Sequence, residues 1–261
     1  DLKIISLPIV RFIASILSSI LFIYLSNFYI STTSIFFLET LLNFTAFAIF
    51  FTVFASSGVI NSFNFIDGLN GLTILFSIII LLVLYFVTYD MPDTQISEIV
   101  LVLLVILSGV ILFNFPYPKI FLGDSGAYLL GHMLFWLSIV FSEIDTEISQ
   151  WGILLLFLYP VTETIISVIR RLINRTLIYM PDRNHIHTLI YDKIVSNTFK
   201  NLSNNSKNNL SSIITIILAS PSIILGYLYI FDSLISMYCV FASFIAYLLL
   251  YIFLSSLRYP N

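Results

Sequence analysis

The sequence predicts an all-α protein, a polytopic bundle of transmembrane helices. Of its 261 residues, 59% are hydrophobic and only 10% are charged, and the mean hydropathy is +1.03. Runs of about 20 apolar residues, enough for a helix to cross about 30 Å of hydrocarbon, recur along the whole chain. The strands of an outer-membrane barrel would instead alternate between apolar and polar residues over about ten positions. We therefore expect an integral membrane protein surrounded by a lipid bilayer.

The hydropathy of the chain predicts eight spans. They lie at about residues 7–25, 35–57, 71–89, 97–115, 125–142, 150–169, 211–231 and 234–255. Residues 1–261 then form one membrane domain, in which residues 170–210 are a cytoplasmic loop. The chain begins with Asp1 rather than Met and has no signal-peptide pattern before its first apolar run. We therefore expect a fragment whose N-terminal helices are missing.

The basic residues predict how the bundle is oriented. Cytoplasmic loops of membrane proteins collect Lys and Arg. If the first residue is cytoplasmic, the alternation of spans places all 11 Lys and Arg residues on the cytoplasmic side. Three polar segments share that side: residues 61–72, residues 114–131 and the 170–210 loop. A site that faces the cytoplasm is therefore expected.

The first polar segment is "NSFNFIDGLNGL", and its polar residues lie three positions apart: Asn61, Asn64, Asp67 and Asn70. On a helix, the first three would form one slowly drifting stripe. The glycines after Asp67 would let a ligand or another backbone approach closely. The alternative is a polar helix end that caps itself at the membrane surface.

The second segment is "NFPYPKIFLGDSGAYLLG", in which Asp124 opens the fifth span between two glycines. The N-terminus of a helix favours negative charge. A carboxylate there either caps the helix or binds a cation that bridges to phosphate. Asn114 and Lys119 precede Asp124 at the same membrane depth, and they favour the second interpretation.

The third segment contains His185 and His187, which follow Arg183. Histidines that bind zinc from one helix are spaced four apart, so this spacing is poor for such a site. In an extended chain, however, residues two apart point to the same side. Both rings could then face one phosphate or carboxylate, unless this is a solvated loop with incidental histidines.

Two other features were open to interpretation. Glu163 lies in the sixth span, where an acid is a functional candidate. Its alternative role is to be the partner of Arg170 or of a buried amide. Residues 196–210 are rich in Asn and Ser, and we expect a loose loop without chemistry there.

Together the segments predict a phosphoryl-transfer site. Mg²⁺ binds one or two carboxylates and fills its other positions with water and substrate phosphates. The sequence has no Walker or dinucleotide-binding motif and gives no reason to expect a nucleic acid partner. A secondary transporter would need polar groups deep within its spans and matching halves, neither of which the sequence shows. A purely structural membrane protein would leave the three segments unexplained.

The three segments resemble motifs of the polyprenyl-phosphate N-acetylhexosamine-1-phosphate transferases, bacterial membrane enzymes of glycosyltransferase family 4. The first is similar to Asn-x-x-Asn-x-x-Asp-Gly-x-Asp/Asn-Gly-Leu and the second to Asn-x-x-Pro…Phe-x-Gly-Asp-x-Gly. "PDRNHIHT" is similar to Pro-Asp-Arg-x-His-x-His-His. Asp1 resembles the second member of an Asp-Asp pair that the family carries at the end of an early helix. The resemblance runs from residue 1 to about residue 193.

The resemblance implies a reaction and its partners. A sugar 1-phosphate would pass from a UDP-N-acetylhexosamine to undecaprenyl phosphate, with release of UMP. This step would initiate a cell-envelope polysaccharide, such as lipopolysaccharide or another cell-wall polymer. The cofactor would be Mg²⁺, with Mn²⁺ as an alternative. The protein would lie in the bacterial inner (plasma) membrane with its active site cytoplasmic, and a homodimer is one arrangement that the family allows.

The resemblance also implies roles for individual residues. Three carboxylates would be catalytic: Asp1, Asp67 and Asp124. The substrate-binding residues would be Asn61, Asn64, Asn70, Asn114, Lys119, Arg183, His185 and His187. Asp124 would be the principal metal ligand, with Asp67 beside it. Asp1, or the neighbour it lacks here, would take the proton from the attacking lipid phosphate or orient that phosphate.

Two departures from the family motifs bear on the branch. Thr188 replaces the last histidine of the third motif. Asn70 replaces the second Asp found in phospho-N-acetylmuramoyl-pentapeptide transferases of peptidoglycan synthesis, which are the alternative branch. The "GLNG" version favours the branch that transfers N-acetylglucosamine 1-phosphate.

Overall fold

The computed structural model describes residues 8–89, 94–175 and 184–257. Within these residues the chain forms helices and contains no β-strand, which confirms the predicted all-α bundle. The predicted site residues Asp1 and Arg183 lie outside the described ranges.

The helices follow one another closely along the chain. They are α1 (Pro8–Ser26), α2 (Phe36–Leu42), α3 (Thr45–Ile66), α4 (Leu72–Thr88), α5 (Thr94–Asn114), α6 (Gly123–Ile144), α7 (Gln150–Leu156), α8 (Leu158–Ile173), α9 (Ile186–Leu189), α10 (Ser196–Thr198), α11 (Asn204–Leu228) and α12 (Ser233–Ser256). A π-helical segment, Ile190–Val195, joins α9 to α10.

Several of these helices are long and apolar enough to cross a membrane. Among the described residues six qualify alone: α1, α3, α5, α6, α11 and α12. The pair α7 and α8 qualifies together but bends by 77° at its break, and α4 is a shorter apolar helix. Each of the eight predicted spans overlaps a helix or this bent pair. The chain is therefore a multi-pass membrane protein.

Besides the bend in the sixth predicted span, the structure differs from the predictions in two places. The span predicted at residues 35–57 is divided into α2 and α3, and α3 continues to Ile66. The polar side chains of this last part have partners on neighbouring helices: Asn61 Nδ2 donates to Ser15 Oγ of α1 at 3.1 Å, and Asn64 Nδ2 donates to Asp124 Oδ1 of α6 at 3.0 Å. The predicted loose segment at residues 196–210 contains the start of α11, where Ser203 Oγ accepts a hydrogen bond from the Ser206 N–H at 3.1 Å.

Helix α3 lies at the centre of the bundle, packed against α1, α2, α6 and α8. Small buried residues on one face of α3, Ala48, Thr52 and Ser56, let its neighbours approach closely. Helices α3 and α5 end, and α1, α4 and α6 begin, at the same end of the bundle. The loop between α3 and α4 therefore lies beside the loop between α5 and α6. We call this end of the bundle the site end, and its loops are residues 67–71 and residues 115–122.

A second close contact joins α7 to α11 through two glycines. A Cβ atom added at Gly152 would lie 2.8 Å from the Cα atom of Ile230. One added at Gly226 would lie 2.8 Å from Leu156 Cδ2 and 3.1 Å from the Gly152 carbonyl oxygen. The first obstacle is backbone, which cannot move aside as a flexible side chain can.

Gly152→Ala is therefore expected to destabilise the protein by about 1–3 kcal/mol through overpacking. Gly109→Ala is the matched control, because Gly109 is also helical and a Cβ there meets nothing within 4 Å. The control should be neutral or more stable, since alanine suits a helix interior better than glycine by about 0.5–1 kcal/mol. Thermal unfolding in detergent measures both variants. Equal midpoints would contradict the close contact.

Candidate active site

The carboxylate of Asp124 lies where three helices meet. It stands in the first turn of α6 and is half exposed. Arg11 of α1 pairs with its Oδ2 atom through Nη1. Asn64, in the last turns of α3, donates from Nδ2 to its Oδ1 atom at 3.0 Å. Each carboxylate oxygen therefore has a donor from a different helix, and the group stays open to a ligand.

The local sequence explains why Asp124 stands at this position. Gly123 has φ = 67°, a left-handed conformation that glycine adopts at little cost. It redirects the chain from the 115–122 loop into α6. The first turn of that helix then presents unpaired N–H groups and the positive end of the helix dipole beside the carboxylate. This end of α6 favours negative charge from side chains and ligands alike.

Asp67 is the second carboxylate of the site. It follows the last residue of α3 and opens the 67–71 loop. Burial raises the pKa of Asp67 to about 6, and the negative charge of Asp124 contributes to the increase. The negative charges of the two carboxylates repel each other, and a bound divalent cation would reduce this repulsion.

The described residues fit a magnesium ion held by two carboxylates. No group of three or more His, Cys, Asp or Glu side chains that could hold a metal occurs among them. Mg²⁺ needs fewer protein ligands than zinc sites do, because water and substrate phosphates complete its coordination. Asp124 and Asp67 meet that requirement, and their role as metal ligands stays a prediction.

The two asparagines of α3 have different surroundings. Asn64 is hydrogen-bonded to Asp124, whereas Asn61 lies one turn deeper and donates to Ser15 Oγ of α1 at 3.1 Å. Ser19 and Ser56 continue this polar contact between α1 and α3, with their hydroxyl oxygens 2.7 Å apart. The structure thus places Asn64 directly against the site and Asn61 in a seam between two helices.

Asn114 joins the two loops of the site end. Its side chain is buried, and Oδ1 accepts a hydrogen bond from the Gly71 N–H at 2.6 Å. Its Nδ2 donates to the Ile120 carbonyl at 2.8 Å. Lys119, in the same loop, is exposed. The predicted contacts of Asn114 and Lys119 with substrate stay predictions.

The two predicted histidines are buried and stacked. The rings of His185 and His187 are parallel within 2°, with centroids 5.4 Å apart. His187 Nδ1 lies 3.3 Å from Tyr159 Oη. On its other side the ring covers Gly68, where an added Cβ atom would lie 2.5 Å from His187 Nε2. The third segment therefore packs directly onto the 67–71 loop.

Glu163 holds the histidine segment in place. Its side chain is only 1% exposed, and Oε1 accepts a hydrogen bond from the Ile186 N–H at 2.6 Å. Its Oε2 lies 3.3 Å from His185 Nδ1. Arg170 supports the same segment by donating to the Asn184 carbonyl at 2.8 Å. Of the two interpretations of Glu163, partnership with a buried amide is the one that the structure shows.

Two parts of the site were not predicted. Arg11 was used only to predict the orientation of the bundle from the sequence. A basic residue near the start of an apolar helix could also have indicated an ionic partner at that end of the bundle. Asn205, Asn208 and Asn209 of α11 reach the 67–71 and 115–122 loops. Their three- and four-residue spacing places them on one helix face, which the asparagine-rich composition obscured.

The buried histidine predicts a pH dependence of stability. Burial, with a contribution from His185, lowers the pKa of His187 to about 3. Unfolded histidine titrates near about 6.5, so protons bind the unfolded chain preferentially below that pH. The stabilisation is present above pH 6.5 and is lost as the pH falls toward 3.

Compared with His187→Gln, the wild type should therefore lose about 1 kcal/mol more stability between pH 7.5 and 5.5. Thermal or denaturant unfolding at several pH values measures this difference in slope. The comparison with the variant cancels the titration of other groups, Asp67 among them. Parallel stability curves for the two proteins would show that His187 is not buried in its neutral form.

Known proteins similar to this chain were found by sequence. The family model described as glycosyl transferase family 4 matches residues 1–142. A probable undecaprenyl-phosphate N-acetylglucosaminyl 1-phosphate transferase of Bacillus subtilis strain 168 is 32% identical over 137 residues, which are 52% of this chain and 38% of the relative. An undecaprenyl-phosphate alpha-N-acetylglucosaminyl 1-phosphate transferase of Thermotoga maritima is 35% identical over 138 residues, 52% of this chain and 41% of the relative.

A relative from the other branch also matches. The phospho-N-acetylmuramoyl-pentapeptide-transferase of Streptococcus agalactiae serotype Ia is 30% identical over 115 residues, 44% of this chain and 32% of the relative. The matched part of the chain thus spans about two fifths or less of the length of these relatives.

The matched region contains the residues that meet at Asp124. Arg11, Asn64, Asp67 and Asp124 all lie within residues 1–142, whereas the histidine segment and α11 lie beyond them. The family model covers more than half of the chain, and the motifs independently predict the same family. The chain therefore belongs to glycosyl transferase family 4.

Proposed function

We propose that this protein transfers a sugar 1-phosphate, N-acetylglucosamine 1-phosphate, from a UDP-sugar to undecaprenyl phosphate. In the net reaction, an oxygen of the lipid phosphate becomes bonded to the β-phosphorus of the UDP-sugar. The bond from that phosphorus to the bridging oxygen breaks, and UMP leaves with the oxygen and the electron pair. The product is a lipid pyrophosphate that carries the sugar. The names of the two relatives that are more than 30% identical support this choice of reaction.

The observation that carries the proposal is the junction at Asp124. Arg11 and Asn64 hold its carboxylate at the start of α6, and Asp67 is near enough for the two charges to interact. Two carboxylates alone would repel the phosphates of both substrates. A cation held by both carboxylates would make the same place a phosphate-binding site, as phosphoryl transfer requires.

Each group of the site has a distinct task in this proposal. Asp124 and Asp67 would hold Mg²⁺, which neutralises charge on the transferring phosphoryl group. Asn64 fixes the orientation of the Asp124 carboxylate, and the Arg11 guanidinium adds positive charge beside it. His187 is neutral at physiological pH, so its task is to support the 67–71 loop rather than to supply charge. Asp1 would orient the lipid phosphate or take its proton.

The position of the site suits a lipid substrate. Asp124 lies at the end of membrane-crossing helices, the depth at which a lipid phosphate sits when its chain is in the bilayer. We place this end on the cytoplasmic side of the bacterial inner membrane, because the basic residues of the chain collect there. A soluble UDP-sugar would then reach the site from the cytoplasm.

The proposal is tested with the full-length protein in membranes. Labelled UDP-N-acetylglucosamine, undecaprenyl phosphate and Mg²⁺ should give labelled lipid and UMP. Asp124→Asn should lower the rate by about 100-fold or more, because it removes a carboxylate that would hold the metal, and with it the charge stabilisation that the metal would supply. Glu147→Gln is the matched control, since it makes the same change beyond the other end of α6.

Three results would contradict this account. Full activity in Asp124→Asn would mean that another carboxylate holds the metal. Labelled lipid from UDP-N-acetylmuramoyl-pentapeptide, with none from UDP-N-acetylglucosamine, would assign the chain to the other branch. No labelled lipid from any UDP-sugar would contradict the transferase function itself.

A further inference from the structure

The first turns of α11 carry four polar side chains on one face: Asn205, Asn208, Asn209 and Ser212. We call them the amide stripe. Their spacing of three, four and seven residues places them side by side on a helix. They lie beyond the part of the chain that the family model matches, and none belongs to the three motifs.

The amide stripe is hydrogen-bonded to the backbone N–H, the backbone carbonyl and the side-chain Nδ2 of Asn70. Asn208 Oδ1 accepts a hydrogen bond from the Asn70 N–H at 2.7 Å, and Ser212 Oγ donates to the Asn70 carbonyl at 2.8 Å. The side-chain Nδ2 of Asn70 donates to Asn205 Oδ1 at 3.0 Å and to Asn209 Oδ1 at 3.2 Å. The backbone and side chain of this loop residue are thus fixed by a single helix face.

The same side chains also reach the other loop of the site end. Asn205 Nδ2 and Asn209 Nδ2 donate to the Pro116 carbonyl at 2.9 and 2.7 Å. An amide side chain can accept from one group and donate to another at once, which neither a carboxylate nor a hydrocarbon can do. Asn205 and Asn209 therefore bridge the 67–71 loop, which begins with Asp67, to the 115–122 loop, which leads into Asp124.

We propose that the amide stripe sets the separation of Asp67 and Asp124 and thereby the affinity of the site for a divalent cation. Its members are positioning residues, because they contact the two loops rather than the carboxylates. The inference rests on the proposed function in one respect, the assignment of these carboxylates as metal ligands. The rival explanation is that the stripe only fastens the start of α11 to the bundle.

The test compares Asn205→Ala/Asn209→Ala with the wild type in the full-length protein. Asn208→Ala is a milder variant that removes only one acceptor. Asn204→Ala is the matched control, since Asn204 is the exposed first residue of α11 and lies outside the stripe. Thermal unfolding identifies any variant that fails to fold, in which case Asn208→Ala decides.

Two measurements that need no turnover are made on substrate-free protein. Hydrogen exchange of a peptide that covers residues 67–72 should be faster in both stripe variants, because the Asn70 N–H loses its fixed surroundings. Mn²⁺ binding, followed by electron paramagnetic resonance, should weaken by about tenfold in the double variant, as for other residues that orient metal ligands, and by a smaller factor in Asn208→Ala. The control should match the wild type in both measurements.

Faster exchange with unchanged Mn²⁺ affinity would overturn the inference. The stripe would then serve only to attach the start of α11 to the bundle. Unchanged exchange would overturn it as well, since the loop would not depend on the stripe. A wild type that transfers sugar phosphate but binds no Mn²⁺ would reject the inference and keep the transferase function. A wild type that binds Mn²⁺ but has no transferase activity would reject the function, while the comparison of affinities would still decide the inference.

Discussion

The structure of the site depends on one carboxylate with two donors. Arg11 and Asn64 approach Asp124 from α1 and α3, and this contact fixes how the ends of three helices meet. Within a membrane, polar groups find their partners inside the protein because lipid offers none. The seam from Asn61 and Ser15 to Ser19 and Ser56 follows the same rule deeper in the bundle. Polar contacts therefore contribute to the register of α1 against α3, and two of the three buried residues of α1, Ser15 and Ser19, belong to this seam.

The loops of the site end are held from two further directions. Glu163 of α8 fixes the Ile186 amide, and His187 then covers Gly68 in the 67–71 loop. Asn114 joins that loop to the 115–122 loop through Gly71 and Ile120. The site is thus a set of short loops that hydrogen bonds hold together, at the end of a bundle that apolar helices build. The hydrogen bonds of the buried Asn114 and Glu163 side chains therefore stabilise these loops.

Much of this arrangement was predictable from the sequence. Runs of apolar residues predicted where helices occur, because crossing a bilayer requires a fixed length of hydrophobic chain. Helix ends were less predictable. Helix α3 continues past its apolar run, where Asn61 and Asn64 have partners on α1 and α6, and α11 begins inside a segment whose asparagines resemble those of a loop. Hydropathy reports that the residues at these helix ends are polar, but it does not predict which groups they bond to in the folded protein.

The motifs predicted the principal residues of the site, but not their partners. Asp124, Asn64 and Asp67 stand in recognisable patterns, whereas Arg11 lies 113 positions from the carboxylate with which it pairs. No local pattern indicates a contact over that distance in the chain. Nor did the motif indicate that the buried side chain of Asn114 bonds to two backbone groups, and its predicted contact with substrate stays a prediction.

The central claim, that α1 and α6 meet at Asp124, can be measured without any substrate. Ser18→Cys of α1 and His132→Cys of α6, whose native side chains lie 3.5 Å apart, leave the Arg11–Asp124 contact intact. Introduced together in a Cys239→Ser background, they should be cross-linked rapidly by a short thiol reagent in native membranes. Ser18→Cys paired with Glu147→Cys, beyond the opposite end of α6, should not react. Cross-linking of the first pair alone is the predicted result. An absence of cross-linking in the first pair, or equal reaction in both, would contradict the account of the site.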